Sequence, residues 1–413
     1  MKMLYFFLFI SLSFSAYAKR VPDSLFLPEP TGIYKVGTTV LYVEDTSRPE
    51  IFTRKKGDVR QLMIKVWYPA RKADTSITAS YLPGYDCRTL KRNYIWMNAT
   101  KKYFRTVRDI PTHSYWNSPV AATEDKFPVV IFSHGYGFGT AEFYHSLMEN
   151  LASQGYVVLA IIHPYESVMI DYPDGSSTKN KNYFNLIRFN NELLGYRRKA
   201  RRCEKNEERI RVIHYIENTS EFILGSHSIW VADTRFVLDM LPEVNDAEGS
   251  ILRGKLDIEK VAAVGHSFGG SVTGQVCSED NRLKAGINLD GWQYGDVFDE
   301  GVQCPFLLIK AEINDWYDLF YSHSKQKYYS VYIPGAKHFT FSDMSVIPGI
   351  PDKRKTSLLS STDGLPNLNK TNELIVDFLN HFLKKKPLSP EISENCRNCG
   401  MKQAEKTTVK PSL

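Results

Sequence analysis

One stretch constrains this chain more than any other: Val261-Ala262-Ala263-Val264-Gly265-His266-Ser267-Phe268-Gly269-Gly270. An apolar run of strand character ends at Gly265, and small residues suited to a helix start follow Gly270. Ser267 therefore sits on a tight strand-to-helix turn, the geometry called a nucleophile elbow. Such a turn strains the backbone at the serine and leaves no room for side chains two residues to either side, which is why glycine is wanted at 265 and 269. It also holds the serine oxygen above a sheet at a helix N-terminus, where backbone N–H groups favour developing negative charge.

A serine so placed needs a base and an acid from later in the chain. His338, in Pro334-Gly335-Ala336-Lys337-His338-Phe339, lies just past an apolar strand at 328–333 and is the best-placed histidine. His381 falls inside a terminal helical pattern and His323 in a polar loop. Two carboxylates end successive strands, Asp290 after Gly286-Ile287-Asn288-Leu289, and Asp315, with Glu312 nearby, after Phe306-Leu307-Leu308-Ile309. Strand-end spacing leaves these two open. The oxyanion formed on attack requires two backbone N–H donors. Phe268, directly after the serine, offers one; Tyr136, in Ser133-His134-Gly135-Tyr136-Gly137 after another apolar strand, offers the second. His134 and His266 read as local packing or hydrogen-bonding residues.

From residue 127 strand and helix signals alternate regularly. Apolar strands are expected at 128–132, 156–162, from 261, and at 285–289, 305–309 and 328–333, with a helix at 141–154. Continuous apolar strands imply a mostly parallel sheet buried on both faces. The fold class is α/β, an α/β-hydrolase fold with a doubly wound sheet. Before it, runs at 32–43 and 61–68 read as an antiparallel pair at the sheet edge. Residues 70–122 mix Pro, Gly and aromatics and read as a long irregular excursion. A mostly helical insertion is expected at about 171–256. It carries the basic run Arg197-Arg198-Lys199-Ala200-Arg201-Arg202, which reads as a solvated helix face. Leu374, Ile375, Phe378, Leu379 and Phe382 recur at helical spacing and mark the last helix of a catalytic domain spanning 19–386. The polar tail, 387–413, is expected to be extended or disordered.

Residues 1–18 combine Lys2, an apolar stretch and small residues ending Ala16-Tyr17-Ala18, the pattern of a cleavable export signal. No later segment reaches about 18 uninterrupted apolar residues, so no transmembrane anchor is expected after signal removal. The net charge of +6 is spread over 413 residues with no basic block of domain size, which argues against a nucleic-acid partner. The cysteines are six, an even number compatible with disulfides in an exported chain. Cys396 and Cys399 stand without a second pair nearby, so a local disulfide or two free thiols fits better than zinc. No metal and no cofactor is expected.

Five segments in order carry a resemblance: Thr31-Gly32-Ile33-Tyr34-Lys35-Val36-Gly37-Thr38, Tyr115-Trp116-Asn117-Ser118-Pro119, Phe132-Ser133-His134-Gly135, the elbow through Gly270, and Leu289-Asp290-Gly291-Trp292. Together they resemble the secreted platelet-activating factor acetylhydrolase family, from about Thr31 to the terminal helix. The resemblance implies calcium-independent hydrolysis of a short or oxidised acyl chain from the sn-2 position of glycerophospholipids, a substrate met at a lipid–water interface. It implies Ser267 as nucleophile, His338 as base and Asp290, rather than Asp315, as acid, with Tyr136 and Phe268 as oxyanion donors. The histidine loop is its loosest match. A broader secreted carboxylesterase or lipase is the neighbouring reading, and a catalytically silent binding protein on the same scaffold is the reading from another class. A residue for every catalytic role argues against the silent scaffold.

Overall fold

The structure, a computed structural model, describes residues 27–71, 76–93, 100–123, 125–137, 139–181, 199, 202–203, 205–219, 221–312, 316–347 and 364–399. Residues 1–18, most of the 197–202 run and Asp315 lie outside them. The organising element is a 10-stranded sheet in the order β12-β11-β10-β9-β5-β6-β2-β1-β4-β3. Its strands are β1 (Lys35–Pro49), β2 (Val59–Ala70), β3 (Thr78–Ser80), β4 (Pro111–Trp116), β5 (Phe127–Ser133), β6 (Val157–Ile162), β9 (Leu256–His266), β10 (Leu283–Leu289), β11 (Phe306–Lys310) and β12 (Tyr328–Tyr332). A separate hairpin pairs β7 (Met169–Asp171) with β8 (Ser177–Lys179).

Within the large sheet the run β6-β5-β9-β10-β11-β12 is parallel at every pairing, while β2 runs antiparallel to both β1 and β6. Alternate side chains along β5 explain why helices cover both faces. Val130 and Phe132 join one buried cluster with Leu147 and Leu151 of the helix His145–Ser153 and Leu374, Ile375 and Phe378 of the helix Gly364–Lys384. Val129 and Ile131 join the other, with Val272 and Val276 of the helix Phe268–Glu279 and Trp230 and Val237 of the helix Glu221–Asp246. Each such fully buried side chain contributes roughly 1.5–3 kcal/mol over its exposed state, so both helix layers are held by the sheet they cover. This is the α/β-hydrolase arrangement, with all candidate site loops at the carboxyl ends of the parallel strands.

Two segments differ from the sequence reading. The stretch 70–122 is not one irregular excursion: β4 pairs parallel with β1, β3 pairs with β4, and helices Cys87–Asn93 and Lys101–Arg108 fill the interval. The β1–β2 pair consequently lies two strands in from the edge, with β4 and β3 outside it. The short strands β3 and β4 carry Pro, Ser and Thr because their neighbours, not their own propensity, hold them. The tail also packs, at least to Cys399. A short helix, Pro390–Ser393, leads into a chain that hydrogen-bonds along β12, with Ser330 N–H to Asn395 O at 3.1 Å and Arg397 N–H to Tyr328 O at 2.9 Å. It covers an otherwise open sheet edge, the exposure that folded chains avoid. Cys396 and Cys399 are joined in a disulfide there, while Cys87, Cys203, Cys277 and Cys304 carry free thiols.

Thr31-Gly32, just before β1, has a docking role. Thr31 donates to Asn150 and Gly32 N–H to Ser153 Oγ, at the end of the helix His145–Ser153. A Cβ at Gly32 would lie 2.1 Å from the Ser153 carbonyl, so only glycine lets the segment approach. Among the described residues no helix is long and apolar enough to cross a membrane.

Candidate active site

β9 ends in His266 and the helix begins at Phe268, which leaves Ser267 alone to turn the chain at φ 57° and ψ −119°. That backbone is uncommon for a side chain other than glycine. The glycines beside it are required sterically: a Cβ at Gly265 would meet Gly269 O at 2.1 Å, and one at Gly269 would meet Ser133 O at 2.1 Å. The elbow is thus wedged between β5 and its own helix, and the Ser267 hydroxyl is fixed by main chain.

His338 opens a short 3-10 turn, His338–Phe341, after β12. Its Nε2 lies 2.8 Å from Ser267 Oγ, and its Nδ1 lies 2.7 Å from Asp290 Oδ2. Asp290 follows β10, and its other oxygen accepts from Ala311 N–H at 2.9 Å. Burial opposes ionisation of this carboxyl, but the hydrogen bond and charge of His338, with the Ala311 N–H, hold it below the usual carboxylate range. The turn after Asp290 passes over the elbow so closely that a Cβ at Gly291 would sit 2.1 Å from Ser267 O. Asn288 ties the turn down, accepting from Gly291 N–H and donating to Gly291 O. Of the other histidines weighed, His323 bonds to Phe298 O and His381 to Lys386 O, away from the serine. Glu312 is exposed.

Phe268 is the first residue of its helix, so its N–H has no acceptor within that helix. The Gly135-Tyr136 loop runs alongside: a Cβ at Gly135 would stand 3.5 Å from Ser267 Cβ, and the rings of Tyr136 and Phe268 meet edge to face at 5.0 Å. This loop is held from behind by residues with no sequence signature. Tyr136 O–H donates to Glu166 Oε1 at 2.8 Å, and Trp230 Nε1–H donates to Glu166 Oε2 at 2.7 Å. Burial pushes the Glu166 carboxyl up despite these donors. Trp230 stacks on His163 at 3.7 Å, His163 Nδ1 lies 2.8 Å from Asp233, and Arg60 spans Asp233 and Glu50 at 2.7 and 3.0 Å. The helical insertion therefore does more than cover the sheet; its helix Glu221–Asp246 braces the loop over Ser267.

His134 and His266, both buried, are pushed down to about 3 by burial and by a neighbouring histidine, so both are neutral at ordinary pH. His134 Nδ1 meets Gly135 O at 2.8 Å. His266 contacts the histidine loop itself, with Nε2 2.8 Å from His338 O. Among the described residues no group of three or more His, Cys, Asp or Glu side chains converges as metal ligands would. A hydroxyl, an imidazole and a carboxylate in a hydrogen-bonded line, beside helix-first N–H groups, can carry acyl transfer.

The family model described as platelet-activating factor acetylhydrolase, isoform II, matches residues 21–392. A platelet-activating factor acetylhydrolase from Cavia porcellus is 26% identical over 372 residues, covering 86% of this chain and 78% of that protein. A probable 1-alkyl-2-acetylglycerophosphocholine esterase from Arthroderma benhamiae is 23% identical, covering 81% of this chain and 80% of that one. Among solved structures, a ferulic acid esterase from Streptomyces cinnamoneus superposes with a TM-score of 0.68 at 23% identity, over 89% of this chain and 96% of that one. At that identity the likeness concerns the fold.

Proposed function

The chain belongs to the platelet-activating factor acetylhydrolase, isoform II, family, and from that membership we propose that it is an exported serine esterase removing acetyl or other short sn-2 acyl groups from glycerophospholipids at a lipid–water interface, without a metal. The observation that carries this reading is the line Ser267–His338–Asp290, with contacts of 2.8 and 2.7 Å. Ser267 Oγ attacks the ester carbonyl and its proton passes to His338 Nε2. The oxyanion is held by the N–H groups of Phe268 and Tyr136. Collapse expels the glycerol oxygen, which takes the proton from His338. Water, deprotonated by the same imidazole, then releases the acid and frees Ser267. Asp290 keeps the imidazole in the tautomer that faces the serine and stabilises its protonated form.

The test is acid release from an acetylated ether phospholipid, from its long-chain sn-2 counterpart and from a soluble ester, each with and without a chelator. Fast, chelator-insensitive release from the acetyl lipid supports the reading. Equal rates on all esters would replace it with a broad carboxylesterase, and loss on chelation would overturn the metal-free step. A fluorophosphonate probe that fails to label Ser267 would end both esterase readings.

A further inference from the structure

His266 and Tyr144 take no part in the chemistry just described, yet they join two loops that do. The carbonyl of His338 can only accept, so His266 Nε2, at 2.8 Å, carries the proton and donates it. His266 Nδ1 is then an acceptor, and the Tyr144 hydroxyl 2.7 Å away donates to it. The same hydroxyl oxygen accepts from Gly135 N–H at 3.2 Å. All the donors in this chain point one way, from the oxyanion loop through the elbow to the histidine loop. Tyr144 and His266 are buried, so cutting a link at either leaves an unpaired polar atom in the interior. We propose that His266 and Tyr144 are positioning residues, which lock the main chain of His338 to the Gly135-Tyr136 loop so that imidazole, serine and oxyanion donors keep one mutual geometry.

The surroundings support this role. His266 precedes Ser267 directly, so its ring is placed by the same glycine-enforced turn that fixes the nucleophile. Its ring packs 4.7 Å from that of His338 and 6.0 Å from that of Phe341. Tyr144 packs on Phe132 of β5 at 4.8 Å. Burial and the nearby His338 keep His266 neutral. A second proton on His266 would put a donor against the Tyr144 O–H and break the chain's direction.

The inference rests on the serine-esterase reading, and the experiment separates the two. Wild type, Tyr144→Phe, His266→Leu, His266→Gln and the Tyr144→Phe/His266→Leu double variant are compared for kcat, KM, fluorophosphonate labelling and thermal unfolding. Losing the single hydroxyl in Tyr144→Phe should lower kcat about tenfold, the effect of one hydrogen bond. Misplacing the imidazole in His266→Leu should lower it about a hundredfold. KM should stay within about twofold, because substrate binding is not the function removed. His266→Gln, which keeps an N–H donor, should recover part of the rate. The double variant should be no slower than His266→Leu, since both changes cut one chain. A Tyr144→Phe variant that keeps wild-type kcat, or losses that multiply in the double variant, would overturn the proposal. Should His266→Leu fail to fold, Tyr144→Phe decides alone. Absence of labelling in wild type would instead sink the esterase reading.

Discussion

Ser267 and Asp290 directly follow neighbouring parallel strands and share a positive φ, 57° and 53°, and Ser267 N–H donates to the carbonyl of Leu289, one residue before Asp290, at 2.9 Å. His266 and Leu289 are register partners. Each chain turns through the left-handed region at the step where it leaves the sheet, so both side chains are carried to the same side of the strand ends, within reach of His338. The two strained residues are one structural unit, and their strain is concentrated where the hydroxyl and the carboxylate must be held.

Asp290→Asn should keep the fold, because asparagine tolerates a left-handed backbone better than most residues. Its amide would nevertheless present N–H to His338 Nδ1 and favour the wrong tautomer. We expect kcat to fall by about 10³–10⁴ with an unchanged unfolding midpoint. Steady-state kinetics checks this, and a loss below tenfold would contradict the role of Asp290.

Ser267→Ala and Ser267→Gly should both abolish turnover but differ in stability. Alanine retains the strained φ, whereas glycine relieves it at some cost in unfolded-chain entropy. The glycine variant should be more stable by about 1 kcal/mol. Urea unfolding of the two proteins measures the difference, and equal midpoints would mean the turn stores no strain.

Two glycines should respond oppositely to alanine. At Gly269 the new methyl would lie 2.1 Å from Ser133 O, a main-chain atom that cannot step aside. Gly269→Ala should cost about 3 kcal/mol or prevent folding. Gly225, inside the helix Glu221–Asp246, has nothing within 4 Å of its Cβ position. Gly225→Ala should stabilise by about 0.4–1 kcal/mol. Thermal unfolding of both variants tests the pair.

Asp343 supplies a pH signature. Its buried carboxyl accepts from Ser146 N–H at 3.2 Å and Tyr81 O–H at 3.2 Å, and burial pushes it up to about 7. The unfolded chain releases this proton near pH 4, so between about 4 and 7 the folded state holds a proton that the unfolded state lacks. The folded state's advantage from this group is complete below about pH 4 and is lost as pH rises through 7, on the order of 4 kcal/mol. Asp343→Asn imitates the protonated form at every pH. Its stability relative to wild type should therefore rise from pH 4 to pH 8, as read by denaturant unfolding, and a constant difference would refute the assignment.

Much of the architecture is legible in the residues because it follows from local rules. Continuous apolar runs became β5, β6 and β9 to β12, and Gly265 and Gly269 announced a turn whose sterics involve main chain only. The stretch 70–122 was illegible for the opposite reason. β4 is held by pairing with β1, and β3 by pairing with β4, rather than by their own pattern, and pairing partners distant in sequence leave no periodicity. The C-terminal segment reads as tail by composition, yet Asn395 to Asn398 find hydrogen-bond partners along the edge of β12.

By itself the sequence determined the class of fold, the position of the elbow serine and a short list of partners for it, since these depend on side-chain size, polarity and order along the chain. It could not show by spacing that Asp290 stands beside His338, nor that Glu166, Trp230 and Asp233 brace the Gly135-Tyr136 loop, or that Tyr144 and His266 link that loop to His338. Those relations were decided only when strands widely separated in sequence were set side by side. A hydrogen bond is made or lost over a few tenths of an ångström, and only the packed sheet fixes distances that finely between loops so far apart in the chain.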